Sequence, residues 1–529
     1  MRSLVNVVTS GESAAGDASA IGAGIPSRAL MQRAGAAAAS EIALRWRDRL
    51  AGGVLVLTGP GNNGGDGWVV ARALATAGVD VRVIETSPAK SPDGVAERDL
   101  ALAALGANAV RTIADAGATE PAFASGTIVI DAMLGTGATG APRGDIARGV
   151  GLVAALRDRG ASVAALDVPT GVDASTGDEA ETCVTADLTL TFAAMKRGHA
   201  VARGRCGAIV VLDIGLGTHA HTGPDAPMLV DEPWVSEHVP RIPASAHKGI
   251  RKKLAIVGGA SGMAGASMLA ARAALRSGIG MVKLFVAPAS MPVVQESEPY
   301  ALAAAWPTDD ASADRELCEW ADAVVIGPGL GRGDDSRALL ERVLRRWRGP
   351  TLLDADAITL FESRAPALAE ALGGRAALIT PHPVEFARLA GMDAGDVLAA
   401  RFDVGRAMAQ TLGAAVLLKG VPTVITAPDG RRLVSASGTP ALATAGSGDV
   451  LSGIAGTMLA QTRDAFVAGG IGAWVHGRAA ERVPAAAGAG VRGIALDDIV
   501  NELRDSWSFD DRPRRYPVLV ELPAVGGAR

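Results

Sequence analysis

The chain has 529 residues, 49% hydrophobic and 20% charged, so it is too long for one ordinary core and too apolar to be disordered. A net charge of −5 gives no polybasic surface, which excludes nucleic acid as a main partner and leaves phosphate recognition to local backbone N–H groups and single cations. Aromatics are 3% against 66 glycines, so the core is expected to be Ala, Val and Leu set between frequent glycine turns.

Pro26 to Leu44 is Ala-rich with a helical pattern, and an alternation of apolar runs and helices follows. Strands are predicted at Val54–Leu57, Val81–Ile84, Ile128–Asp131, Val163–Asp167, Leu188–Phe192 and Ile209–Asp213, with a helix over Trp68–Ala77. Nearly all-apolar strands between helices imply an α/β domain built on a parallel sheet covered on both faces. Residues 216–245, rich in Gly, His and Pro, break the rhythm and are read as a junction after a first domain over 1–215. The rhythm resumes over 246–510. Strands are predicted at Leu254–Val257, Met281–Val286, Ala323–Ile326, Thr351–Leu353, Ala377–Ile379, Val416–Leu418 and Val424–Thr426. Helices are predicted at Gly265–Ser277, Ser336–Trp347, Val384–Ala390 and Gly448–Leu459, and residues 511–529 are read as a peripheral tail. Cys183, Cys206 and Cys318 lack any CxxC spacing, which points to a reducing cytoplasm without disulfides or zinc. Met1–Ser10 carries no signal-peptide pattern, and polar residues or Gly interrupt every apolar run too early for a membrane span.

Three predicted strand ends in the first half carry Gly with Asp, Asn or Thr. They are Gly59-Pro60-Gly61-Asn62-Asn63-Gly64-Gly65-Asp66-Gly67, Asp131-Ala132-Met133-Leu134-Gly135-Thr136-Gly137 and Asp167-Val168-Pro169-Thr170-Gly171-Val172-Asp173. Carboxyl ends of α/β strands are where such sheets bind ligands, and these oxygens suit a hard cation. The plain alternative is a set of glycine turns and Asp caps. Lys196 follows a fourth strand end, and with only seven lysines in the chain it is less readily a generic solubiliser. In the second half, Gly446-Ser447-Gly448-Asp449 opens a helix, offering N–H donors to a phosphate and a carboxylate to a hydroxyl proton. His382 as a loop cap, Asp354-Ala355-Asp356 as a strand end with a cap, and the glycine clusters as packing turns are the plain alternatives there.

The motifs GPGNNGGDG, DAMLGTG, DVPTGVD and TFAAMKRG, with Gly24-Ile25-Pro26 and Met31-Gln32-Arg33-Ala34-Gly35, resemble the NAD(P)H-hydrate epimerase domain over residues 10–215. The resemblance implies a Rossmann-like three-layer αβα fold. It also implies that the hydrated nucleotide is bound by Asn62, Asn63, Gly64, Gly65 and Asp66, by Gly135, Thr136, Gly137, Ala138, Thr139, Gly140 and Ala141, and by Asp167. A potassium ion maps to Asn63, Asp131 and Thr170, the last standing where many members have Ser. Asp167 and Lys196 are the candidates for moving protons.

KGIRKKLAIVGG, SGMAGA, GPGLG, DADA, TPHPVEFARL, KGVPT and AGSGDVLSG, over residues 245–505, resemble the ADP-dependent NAD(P)H-hydrate dehydratase branch of the ribokinase-like superfamily. That resemblance implies a ribokinase-like αβα fold. It places Ala266, Gly331, His382 and Asp449 on the hydrated cofactor, and Lys419, Gly420, Val421, Pro422, Thr423 and Gly448 on the adenine nucleotide. ADP as co-substrate, Mg2+ on the nucleotide and a homo-oligomer of four or more chains are expected. Val384 stands in place of the usual Gly, Met263 in place of Tyr and Thr439 in place of Asn. The reading is a fused repair enzyme that epimerises hydrated NADH and NADPH and dehydrates the S epimer. Two other classes are weighed against it. A small-molecule alcohol kinase of the hydroxymethylpyrimidine or hydroxyethylthiazole type would lack the first domain. A non-catalytic nucleotide-binding scaffold would not need Asp167, Lys196 and Asp449.

Overall fold

The computed structural model describes residues 5–115, 126–220, 226–487, 491–510 and 512–525. Residues 221–225 of the expected junction, and 511 and 526–529 of the tail, lie outside the described residues. The chain divides into two compact units, one of Met1–Ala226 with Arg512–Gly526 and one of Pro227–Asp511 with Gly527–Arg529.

The first unit carries an eight-stranded sheet in the order Val518–Leu522, Ala208–Leu212, Leu188–Phe192, Ser162–Leu166, Ile128–Ala132, Val54–Thr58, Val81–Glu85, Val110–Thr112. All neighbours are parallel except the first pair. Side chains alternate between two cores, as the pleat requires. Val54, Val56, Ile128 and Ile130 pack with the helices Ser27–Arg45 and Asn62–Thr76. Leu55, Leu57, Val129 and Val163 pack with the helix Gly144–Asp158. Strand order reverses at Val54–Thr58, so the glycine-rich segment leaves the sheet at its switch point, the place where sheets of this kind bind ligands. The helix there starts at Asn62, six residues before the predicted Trp68. It can do so because a Cβ at Gly64 would lie 2.0 Å from Gly59 O, and one at Gly65 2.5 Å from Met31 Cε. Glycine here permits close packing at a helix start.

The tail read as peripheral is instead structural. Val518–Leu522 pairs antiparallel with Ala208–Leu212 and buries Val520 and Leu522. Arg45 holds Glu521 with two bonds of 2.7 and 2.8 Å, Arg515 reaches the buried Glu41, and Arg203 donates to the Pro523 carbonyl. Removing residues from 512 onward is expected to destabilise the first unit by about 2–4 kcal/mol, the burial of two side chains less their ordering cost. Calorimetry would show the first unit's transition shifted down and the second unit's unmoved. A single unshifted profile would reduce the strand to decoration.

The second unit carries a ten-stranded sheet in the order Met228–Leu229, Arg432–Ser435, Thr423–Thr426, Ala415–Leu418, Ala377–Ile379, Thr351–Leu353, Ala323–Ile326, Lys253–Val257, Met281–Val286, Leu302–Ala305. Thr423–Thr426 runs antiparallel to both of its neighbours. Met228–Leu229 and the helix Glu232–His238 belong to this unit, so the junction is narrower than the expected 216–245. One face packs on Asp334–Arg346, Ala365–Leu372, Pro383–Ala390 and Gly405–Leu412. The helix Ser447–Thr462 covers the other face, close enough that a Cβ at Gly456 would meet Val325 Cγ2 at 2.5 Å. Here too the strand order reverses, at Lys253–Val257.

Candidate functional sites

In the first unit, two neighbouring strands end in the same uncommon turn. Val168 N–H bonds Leu166 O at 2.8 Å around Asp167, whose φ is 62°. Ala194 N–H bonds Phe192 O at 2.7 Å around Ala193, also at φ 62°. Turns of this positive-φ kind are rare and strained outside glycine. They bring the Asp167 carboxylate to 2.6 Å from Lys196 Nζ, an ammonium whose side chain is only 2% exposed. Lys196 Nζ also donates to Thr191 Oγ1 at 2.9 Å and to Phe192 O at 3.2 Å. Thr191 Oγ1 and Thr136 N–H donate to Asp167 at 3.2 and 3.3 Å. Burial pushes the Asp167 carboxyl up, but the adjoining Lys196 charge outweighs it and holds the pKa below the usual carboxylate range. Asp66 is the reverse case: burial, then the charges of Asp167 and Asp17, raise it well above that range.

Asp131 is fully buried at the end of the Ile128–Ala132 strand. It accepts from Thr170 N–H at 2.8 Å, Thr170 Oγ1 at 2.7 Å and Met133 N–H at 3.2 Å, yet burial still lifts its pKa to about 6. Asn63 is buried in the first turn of the Asn62–Thr76 helix, and among the described residues neither its amide oxygen nor its nitrogen has a hydrogen-bond partner. Gly135 lies against both Asn63 and Asp167: a Cβ there would sit 3.1 Å from Asn63 Cβ and 3.3 Å from Asp167 Oδ2. Gly135, Ala138, Gly140 and Ala141 line a cavity of about 230 Å³ with Thr170 and Gly171. The structure thus joins Asp131 to Thr170 and Asn63 to the Gly135 loop, while Gly137 and Thr139 stand exposed on that loop.

In the second unit, Asp354 is the hub. It is 1% exposed. It accepts from Lys419 Nζ, Thr380 Oγ1 and Ser452 Oγ, each at 2.8 Å. Burial works against the Lys419 ammonium, but Asp354 and Glu385 hold its pKa above the usual lysine value. A Cβ at Gly448 would lie 3.3 Å from Lys419 Nζ, so the missing side chain lets the cation reach the helix N-terminus. Asp449 stands in the first turn of that helix. Burial, then the negative charge of Asp354, pushes its pKa up to about 7. His382 caps the Pro383–Ala390 helix through Nδ1, and its own N–H donates to Glu385 at 2.9 Å. Gly331 N–H donates to Asp356 at 3.0 Å. Ala266, on the Ala264–Arg276 helix, lies 3.1 Å from where a Gly329 Cβ would be. Thr423 folds back on Gly420 at 3.2 Å, and Val421 is 59% exposed beside it. Thr380, Glu385 and Ser452 lie within the motifs TPHPVEFARL and AGSGDVLSG but have no individual role legible there, since their roles exist only through contacts, and Asp354-Ala355-Asp356 reads equally as a strand end with a cap. Among the described residues no group of three His, Cys, Asp or Glu could hold a metal, and no helix is long and apolar enough to cross a membrane.

Residues 254–503 match the family described as NAD(P)H-hydrate dehydratase, and residues 27–198 match the YjeF-related protein N-terminus. The bifunctional NAD(P)H-hydrate repair enzyme Nnr of Coxiella burnetii is 35% identical over 492 residues, covering 92% of this chain and 96% of that one. The Nnr enzyme of Escherichia coli is 34% identical over 480 residues, covering 90% of this chain and 88% of its own. A crystallised ADP/ATP-dependent NAD(P)H-hydrate dehydratase from Bacillus subtilis is 28% identical, with a TM-score of 0.47, over 53% of this chain and 97% of that one.

Proposed function

From the premise that the chain belongs to the bifunctional NAD(P)H-hydrate repair enzymes, we propose how its two sites divide the work. The first unit interconverts the epimers of hydrated NADH and NADPH, and the second dehydrates the S epimer at the expense of ADP. The observation that carries this reading is the presence in one chain of the buried Asp167–Lys196 pair and the Asp449–Lys419 constellation.

In the second site, ionised Asp449 takes the proton of the ring hydroxyl. The hydroxyl oxygen attacks the terminal phosphorus of ADP, and AMP leaves. Lys419 and the helix N-terminus beside Gly448 offset the charge that develops on the phosphoryl group. Phosphate then departs with the neighbouring C–O electron pair, a ring proton is lost, and the C=C bond is restored. Phosphorylation makes this elimination feasible because hydroxide is a poor leaving group. In the first site, Asp167 and Lys196 hold or accept protons at the hydrated ring. Mg2+ would accompany the nucleotide, lowering the charge of its phosphates. Mixing the protein with hydrated NADH and ADP should restore absorbance at the reduced-nicotinamide band, and a phosphorylated end product in its place would favour an alcohol kinase.

The residues also fit a monovalent cation in the first unit. Among the described residues the buried Asn63 amide is unsatisfied, while Asp131 contributes one carboxylate and Thr170 a hydroxyl. A single carboxylate among neutral oxygens suits K+ better than a divalent ion. Such an ion would neutralise Asp131 and steady the loop that Gly135 packs against Asn63. Epimerase rate and melting temperature are expected to be higher in K+ than in a bulky organic cation at equal ionic strength, and Asp131→Ala should remove the difference. Equal values in the two salts for the unaltered protein would dismiss the ion.

A homo-oligomer of four or more chains is part of the same reading. Sedimentation would test it. A cytoplasmic location accords with three cysteines that form no disulfide.

A further inference from the structure

His199 takes no part in the reactions and cation site described above, yet its ring touches both members of the proton-handling pair through their main chains. It sits in the short helix Arg197–Val201 and is fully buried. Lys196 N–H points at Nδ1 at 3.2 Å, and Nε2 lies 2.8 Å from the Asp167 carbonyl oxygen. An N–H donor aimed at Nδ1 requires that nitrogen to be unprotonated, so the proton sits on Nε2 and is donated to Asp167. The two contacts therefore select one neutral tautomer.

The Asp167 carbonyl needs such a partner. The residue lies at φ 62°, in a turn closed by Val168 N–H to Leu166 O at 2.8 Å. A strained backbone persists where its surroundings over-determine it, and a buried carbonyl without a donor is costly. Asp167 N–H is fixed to Leu190 O at 2.8 Å, and His199 fixes the other side of the same residue. On the Lys196 side, Val8 and Lys196 are paired in a two-residue parallel ladder, so that main chain is anchored as well.

We propose that His199 is a positioning residue of the epimerase: its ring ties the strained turn at Asp167 to the main chain of Lys196 and so sets the geometry in which carboxylate and ammonium meet the substrate. Burial and the charge of Lys196 depress its pKa to about 4, which keeps the ring neutral across the working range, as the bond from Lys196 N–H to Nδ1 demands. The inference rests on the reading of Asp167 and Lys196 as the proton-handling pair, so Asp167→Asn is measured alongside.

The test uses the full chain with His199→Phe, His199→Gln and Asp167→Asn, following epimer interconversion on hydrated NADH. Dehydratase rate in the same preparations reports on the second unit. Phenylalanine fills the ring volume but offers no bond to either main chain, whereas glutamine retains a donor at the reach of Nε2. Epimerase kcat is expected to fall roughly tenfold to a hundredfold in His199→Phe, from misplacement of the pair. KM should change less than kcat, and His199→Gln should recover part of the loss. Nitrogen-15 spectra of the unaltered protein should show Nε2 protonated and Nδ1 bare. A His199→Phe enzyme at full rate beside an inactive Asp167→Asn would overturn the role of His199 alone. Full activity in Asp167→Asn would overturn the acid–base reading, and the role of His199 with it. Should His199→Phe fail to fold, His199→Gln and the spectra still decide, since a proton on Nδ1 contradicts the clamp outright.

Discussion

Asp449→Asn is expected to lower dehydratase turnover by about two to four orders of magnitude, the usual worth of a positioned general base, while ADP still binds. Asparagine keeps the shape of the first helical turn but cannot accept the hydroxyl proton. The pH dependence sharpens the test. Asp449 must be ionised to act, and its pKa stands at about 7 because of burial and the nearby charge of Asp354. In the unaltered protein kcat/KM should rise with pH and level off above about 7, and the residual rate of the variant should lack that limb. Stability moves the other way. A carboxyl whose pKa is raised by folding stabilises the fold below its unfolded pKa, and that contribution is lost as pH rises through 7. The variant should therefore melt no lower than the unaltered protein at pH 8. A folded variant with near-normal turnover would remove Asp449 from the chemistry.

Lys196→Met should cost the first unit about 3–5 kcal/mol, because it leaves the Asp167 carboxylate buried without its partner. Asp167 is depressed by that partner, so the contribution is full above the unfolded carboxylate pKa and is lost as pH falls through the folded value. The loss should accordingly shrink in acid. Pairing Lys196→Met with Asp167→Asn removes both charges and is expected to recover much of the stability while leaving epimerase activity absent. Denaturant titration at pH 7 with an epimerisation assay on the same samples reads both quantities. Activity in the double variant would mean that the pair serves only the fold.

Much of this was legible in the sequence because strands and glycine turns announce themselves locally. Val54–Thr58, Ile128–Ala132 and Met281–Val286 fall where their apolar runs place them. What was not legible depends on distant partners. The Asp354–Lys419 bond joins residues 65 apart, and nothing in Asp354-Ala355-Asp356 distinguishes an ion-pair hub from a cap. His199 gains its role from a contact with the main chain of Asp167, 32 residues earlier, which no local pattern announces. The short strands Leu302–Ala305 and Arg432–Ser435 are Ala-rich or Arg-led and carry little β pattern. The helix start at Asn62 was hidden because glycines read as loop, although here close packing against Gly59 and Met31 is what excludes a side chain.

The strand Val518–Leu522 also imposes a schedule on the nascent chain. Its partner Ala208–Leu212, an uncharged β-branched segment, leaves the ribosome about 300 residues earlier. At about 5–20 residues per second, that interval is some tens of seconds. During it the first sheet has an open, apolar edge of the kind that recruits other chains. Every polypeptide interrupted within the second unit keeps that edge open, so incomplete products carry their own marker for aggregation or capture by holdases, and full-length ones lose it.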